Sequence, residues 1–158
     1  AKVDPGEVQQ RLAAVLPAEF ALLSVRSVPL SAPSLSQELE AAEWWIEFLP
    51  PGPAVAVAPD RWHRAVREVV AAERLIWHDR DKKGRPRQRD CRPFLRGLGL
   101  LPHPEQIDGG RWLALDAAID PQGRSLRPEH PQSWLAEALE VPLRIGRVQR
   151  RRLILRPC

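Results

Sequence analysis

The sequence predicts an α+β domain, a split β-α-β, ferredoxin-like sheet with its helices packed on one face. Three observations lead there. Residues 42 to 48 alternate, with Trp44, Ile46 and Phe48 on one side and Glu43 and Glu47 on the other, the two-residue period of a half-buried strand. Trp62, Ala65, Val66, Val69 and Val70 follow the i, i+3, i+4, i+7, i+8 spacing of a helix with one apolar face. Further strand-like runs are interleaved with that helix and a second one, an order that places two helices on one face of an antiparallel or mixed sheet.

In chain order, Asp4-Pro5-Gly6-Glu7 reads as a helix start, because Asp4 can cap the free N–H groups, Pro5 suits the first helical position and Glu7 completes a capping box. Val8, Leu12, Val15 and Leu16 then share a face, and Pro17 ends the helix. A strand is expected over 20–28, a Pro- and Ser-rich connector over 29–33, and a short helix over 34–40. Pro50-Pro51-Gly52-Pro53 excludes both helix and ladder and separates the 42–48 strand from the helix over 59–72. Strands over 74–79 and 86–90 flank a glycine-containing turn at 82–85 and form a hairpin. A helical turn near 93–97 and a Gly/Pro-rich loop precede a strand over 111–117. Residues 125–140 contain the second helix, with Ser125 as its cap and Pro128 in its first turn. A strand over 147–155 closes the chain.

Composition sets bounds on function. At 158 residues, 44% hydrophobic and 28% charged, the chain can bury a core without staples. It has no apolar run of membrane-spanning length and no N-terminal secretory pattern, so a soluble, cytoplasmic location with no membrane partner is expected. Two cysteines, Cys91 and Cys158, are too few for a disulfide framework or a thiolate zinc site. The chain starts at Ala1 without methionine, which fits either a removed initiator or a piece of a longer polypeptide.

Positive charge is concentrated in two stretches. Arg80, Lys82, Lys83, Arg85, Arg87, Arg89 and Arg92 stand against only Asp81 and Asp90, and residues 141–158 hold six arginines, Arg150 and Arg152 among them, with no acid. The remainder of the chain carries −7 of the overall +4. On an extended strand Arg85, Arg87 and Arg89 would project together at intervals of about 6.6 Å, close to the spacing of phosphates in an extended single strand. Cations so placed release counterions from a nucleic acid. They equally keep an edge strand from pairing with another chain, or dock an acidic protein surface. These seven residues with Arg150 and Arg152 make up the candidate nucleic-acid-binding set.

Other candidates carry less. Trp77 can stack a base or, sharing a side with Leu75, join the core; Trp112 is equally open. His63, His78, His103 and His130 never recur at ligand spacing, and no metal or cofactor is expected. His78, Asp79 and Asp81 as an acid–base cluster, Cys91 as a nucleophile, and Asp116 with Asp120 as a carboxylate pair all lack the flanking pattern such chemistry requires. Arg124 and Arg127 would welcome a phosphate at the start of the last helix.

Several motifs carry a resemblance. Val25-Arg26-Ser27-Val28-Pro29-Leu30-Ser31-Ala32-Pro33-Ser34-Leu35, Ala41-Ala42-Glu43-Trp44, Lys83-Gly84-Arg85 leading to Arg89-Asp90-Cys91-Arg92-Pro93-Phe94-Leu95, Gly123-Arg124-Ser125-Leu126-Arg127-Pro128-Glu129 and the closing Arg150-Arg151-Arg152-Leu153 resemble the radical SAM-linked domain of unknown function. The resemblance implies a C-terminal portion of that domain, with residues 1–40 ending a first half-domain and 41–158 forming the main one. It also implies a radical SAM catalytic unit in cis or in trans, because the three-cysteine cluster motif is absent here. The expectation is therefore a non-catalytic module that binds RNA, tRNA included, or presents it to a radical SAM RNA-modifying enzyme. The other expectation is a protein-interaction module that docks the catalytic unit through its basic hairpin.

Overall fold

The computed structural model describes residues 3–52, 55–102 and 110–156 and divides into two compact units, Ala1–Ser34 and Leu35–Cys158. In the first unit, helix α1 spans Pro5–Val15. Asp4 caps it, its carboxylate accepting the Glu7 N–H at 3.1 Å, and Pro5 opens it as expected. The strand expected over 20–28 is not formed: the backbone there is irregular, and Leu23 is 89% exposed. An apolar run alone does not make a strand. Its N–H and C=O groups need a partner ladder, and the described residues of this unit supply none.

The second unit runs α2 (Leu35–Glu38), β1 (Leu39–Leu49), α3 (Pro59–Ala71), β2 (Ile76–Arg80), β3 (Pro86–Asp90), a 3-10 turn (Arg92–Phe94), β4 (Leu95–Leu100), β5 (Arg111–Ala118), α4 (Glu129–Leu139) and β6 (Arg144–Leu155). A four-stranded antiparallel sheet has the order β4-β5-β1-β6, while β2 and β3 pair only with each other. With α3 leading from β1 towards β4 and α4 from β5 to β6, this is the expected α+β, ferredoxin-like arrangement. The β2–β3 hairpin is an insertion between α3 and β4.

Strand β4 falls where the sequence suggests the end of a helical turn near 93–97 and the start of a Gly/Pro-rich loop; the turn itself is shorter, Arg92–Phe94. Its glycines hide an ordinary two-residue alternation, in which Leu98 and Leu100 turn to the core side while Gly97 and Gly99 turn away. Ile46 and Phe48 of β1, Leu113 and Leu115 of β5 and Leu98 of β4 pack against Trp62, Ala65, Val66 and Val69 of α3 and Trp134, Leu135 and Leu139 of α4 in one core. Both helices thus lie on one face of the sheet. Arg61 of α3 also donates to the Leu139 carbonyl at the end of α4.

Helix α4 begins without Ser125 as its cap. The Ser125 hydroxyl donates to the Ala118 carbonyl at 2.7 Å, and His130 Nδ1 instead accepts the Arg127 N–H at 3.0 Å. Register between β1 and β6 shifts three times, at Leu39/Ala41, Glu43/Trp44 and Ile46/Phe48. The second shift leaves Arg151 as an extra residue, since Glu43 faces Arg152 while Trp44 faces Arg150. Among the described residues no helix is long and apolar enough to cross a membrane.

Candidate nucleic-acid interface

Within the hairpin, neighbouring residues divide the candidate cations into two groups. Arg92 is structural: its guanidinium donates to the carbonyls of Ala72, Leu95 and Val70 at 2.8, 2.9 and 3.3 Å, tying the end of α3 to the start of β4. Arg89 is held by Asp79 at 2.6 Å. Arg80 donates to the Gly84 carbonyl across the turn. Lys82, Lys83, Arg85 and Arg87 are exposed and have no carboxylate partner among the described residues. The turn that carries them is fixed by Asp81, which accepts the Lys83 and Arg85 N–H groups at 2.8 and 2.9 Å, and by Gly84, whose φ of 77° suits a residue without a Cβ. Register puts Arg87 opposite Asp79 and Arg89 opposite Trp77, so those two arginines share a side, while Arg85 belongs to the turn.

Arg150 and Arg152 belong to another surface. Strand β6 is an edge of the four-stranded sheet and β2–β3 is a separate sheet, so the two basic stretches do not join in one ladder. What β6 does instead is lay guanidinium groups on tryptophans. Arg147 lies 5.3 Å from the ring centre of Trp112, Arg150 5.5 Å from Trp44 and Arg151 4.2 Å from Trp45, all within cation–π range. Trp44 belongs to the helix-covered side. Trp45 on β1 and Trp112 on β5 point to the other side, from the two central strands. The extra residue in β6 permits this, placing both Arg151 and Arg152 on the side of Trp45.

Charges on that second side are paired. Arg152 meets Glu43 at 2.7 Å, which raises the guanidinium's already high pKa through the hydrogen bond and the charge of Glu43, and Arg96 bridges Glu40 at 3.0 Å and Asp116 at 3.5 Å. Glu47, expected on a polar face, is buried. Its Oε2 accepts the Arg147 N–H at 3.0 Å, and Gly146 leaves the room, since a Cβ there would come within 2.6 Å of that oxygen. Register sets Glu43 opposite Asp116, Trp45 opposite Ala114, and Gly99 opposite Ala114 on its other flank. Between them lies a depression of about 410 Å³ lined by Trp45, Gly97, Gly99, Ala114, Glu43 and Asp116. Nothing in the one-dimensional pattern announced it except the two glycines of β4.

Remaining candidates resolve into local structure. Trp77 packs edge-on against His130 at 4.5 Å and belongs to the core margin. Burial pushes the Cys91 thiol up, so it stays protonated and unreactive at neutral pH. Asp90 accepts the N–H groups of Arg92 and Leu75, which hold its carboxyl below the ordinary range. Burial alone would raise Asp120, but the Arg124 N–H and guanidinium outweigh it and hold the carboxylate charged. Arg124 is thereby engaged, while Arg127 stays exposed beside a concavity also lined by Trp77, Arg89 and His130. Burial, then the charge of Arg89, lowers the His130 pKa. Among the described residues no group of three or more potential ligands is placed to hold a metal ion; His103 and Cys158 lie outside them.

A profile of a bacterial protein family, described as an uncharacterized protein conserved in bacteria (DUF2344), matches residues 1–128. No curated protein and no solved structure matches the chain.

Proposed function

We propose, for a chain that belongs to this bacterial family of uncharacterized proteins, that its larger unit is a non-catalytic module that holds single-stranded RNA, tRNA included, and presents it to a radical SAM RNA-modifying enzyme. The contact of Arg151 with Trp45, on the side of the sheet away from the helices, carries the proposal. Aromatic rings on the central strands of a four-stranded sheet, with cations beside them, are a general means of holding single-stranded RNA: bases stack on the rings and guanidinium groups follow the phosphates. Trp45 supplies the ring here and Arg151 the cation beside it, with Lys82, Lys83, Arg85 and Arg87 as a second, exposed cationic surface; Trp112 is 3% exposed beneath Arg147, and Arg150 lies with Trp44 on the helix-covered side. The radical SAM partnership is supported by the resemblance of the motifs around Lys83-Gly84-Arg85, Arg89 to Leu95 and Gly123 to Glu129.

Affinity for a labelled single-stranded RNA and for tRNA, measured by anisotropy from roughly 50 to 200 mM salt, tests this role. We expect a steep fall with salt, and about a tenfold loss on Trp45→Ala, since each stacked base contributes roughly 1–3 kcal/mol. No binding at the lowest salt would refute it. If reversing the charges of Lys83, Arg85 and Arg87 leaves RNA affinity intact yet abolishes co-elution with a radical SAM enzyme, the hairpin docks protein instead.

A further inference from the structure

Resting on the RNA-holding role proposed above, we infer that the depression beside Trp45 is a base-specific subsite that takes one guanine, with Trp45 as its stacking wall, Gly99 and Ala114 as its floor and Asp116 as the group that reads the base edge. The glycine is the first sign. Glycine inside a strand weakens it, and its usual justifications are a bulge, a positive φ or a crowded neighbour. Gly99 has none of these: it pairs in regular register with Ala114, its φ is not positive, and a Cβ built on it would meet nothing within 4 Å. Close approach by something outside the chain is the remaining physical reason for a missing side chain there. The opposed Ala114 keeps the same floor low, and the volume of about 410 Å³ falls in the range of roughly 300–1,000 Å³ typical of small-ligand sites.

Flat and aromatic surroundings select a planar ligand; the rim selects which one. Asp116 Oδ1 is out of solvent's reach and accepts no hydrogen bond among the described residues, while Oδ2 makes only the long 3.5 Å contact with Arg96, so nothing holds the carboxylate against a turn about its last side-chain bond that brings both oxygens to the depression. A carboxylate offers two acceptors side by side. Among the bases guanine alone presents two adjacent donors, the ring N1–H and the exocyclic amino group, whereas uracil presents one donor between two carbonyls that the carboxylate repels. Glu43, directly opposite Asp116, has its Oε1 committed to Arg152. Arg96 is shared by Glu40 and Asp116, Arg152 pairs with Glu43, and Arg151 lies over Trp45, so three carboxylates meet three guanidinium groups and the rim is acidic in its acceptors without carrying a net negative field against the phosphates. Arg151 covers one face of the Trp45 ring, and the base takes the other.

The measurement compares oligouridine of fixed length with the same oligomer carrying one central guanosine or one central adenosine, by anisotropy, on wild type, Asp116→Asn and Gly99→Val. The guanosine oligomer should bind wild type at least fivefold tighter than the other two, as one bidentate pair is worth about 1–3 kcal/mol of discrimination. Asp116→Asn should reduce that ratio to about twofold or less while leaving the oligouridine affinity in place. Gly99→Val fills empty space and suits a strand, so it should melt no lower than wild type and should lose the preference for guanosine. Equal affinity for all three oligomers, or a Gly99→Val protein that keeps the preference, overturns the guanine subsite and leaves the RNA-holding sheet face standing. An adenosine preference overturns the role given to Asp116. Failure of wild type to bind any oligomer overturns both proposals.

Discussion

Arg92 shows how far a count of basic residues can mislead about a charged surface. Its guanidinium is spent on three carbonyls, so Arg92→Ala should lower stability by about 2 kcal/mol in urea unfolding while leaving RNA affinity nearly unchanged, as expected for hydrogen bonds to a charged group. Lys82 and Lys83, nine or ten positions earlier, are exposed and should show the opposite. In the sequence these residues look alike, because what separates them is a partner brought from elsewhere in the chain: Asp79 for Arg89, the end of α3 for Arg92. His130 adds a pH signature. Its folded pKa lies below the ordinary 6.5 because burial, then Arg89, disfavours the imidazolium. Below about pH 6.5 the unfolded chain therefore takes up a proton that the folded chain refuses, and stability falls with falling pH. The melting temperature should drop between pH 7 and 5.5, and His130→Gln should flatten that drop; an unchanged slope would show that His130 is not the group responsible.

Elements with a clear period were legible and those without one were not. Helix α3, β1 and β5 each present a run of apolar residues at one spacing, and their places in the core follow from it. Strand β4 is hidden in the sequence because Gly97 and Gly99 look like loop unless the alternating Leu98 and Leu100 are counted. The strand expected over 20–28 has β-forming residues but no pairing segment among the described residues of its own unit, and pairing is a property of two segments. The hairpin was readable as strand, turn and strand, yet its separation from the main sheet was not, since sheet membership depends on long-range register. Replacing Lys82, Lys83, Arg85 and Arg87 by glutamine should reduce the slope of log affinity against log salt by about 0.7 for every cation that touches a single-stranded phosphate. If the slope does not change, the hairpin lies outside the RNA path and the sheet face alone holds the strand.

At the scale of the molecule, the apolar core among the described residues lies in the larger unit, from Ile46 to Leu143, while α1 buries none of its residues. Residues 35–158 expressed alone should therefore fold cooperatively, with a melting temperature within a few degrees of the full chain; a fragment that does not fold would show that the first 34 residues contribute to the core's stability. The candidate RNA surface is only half legible in the sequence: its arginines are, but the stack of Arg151 on Trp45 needs β1 and β6 side by side. The three register shifts between β1 and β6 have a further consequence, which concerns self-association. Strand β6 is the longest strand and lies at an edge, where a straight ladder would invite a second copy to add its own strand. An extra residue bends and twists the strand that carries it, so this edge cannot hold one flat register along its twelve residues. The irregularity that turns Arg151 toward Trp45 also denies a second copy the straight ladder on which it would add its own strand.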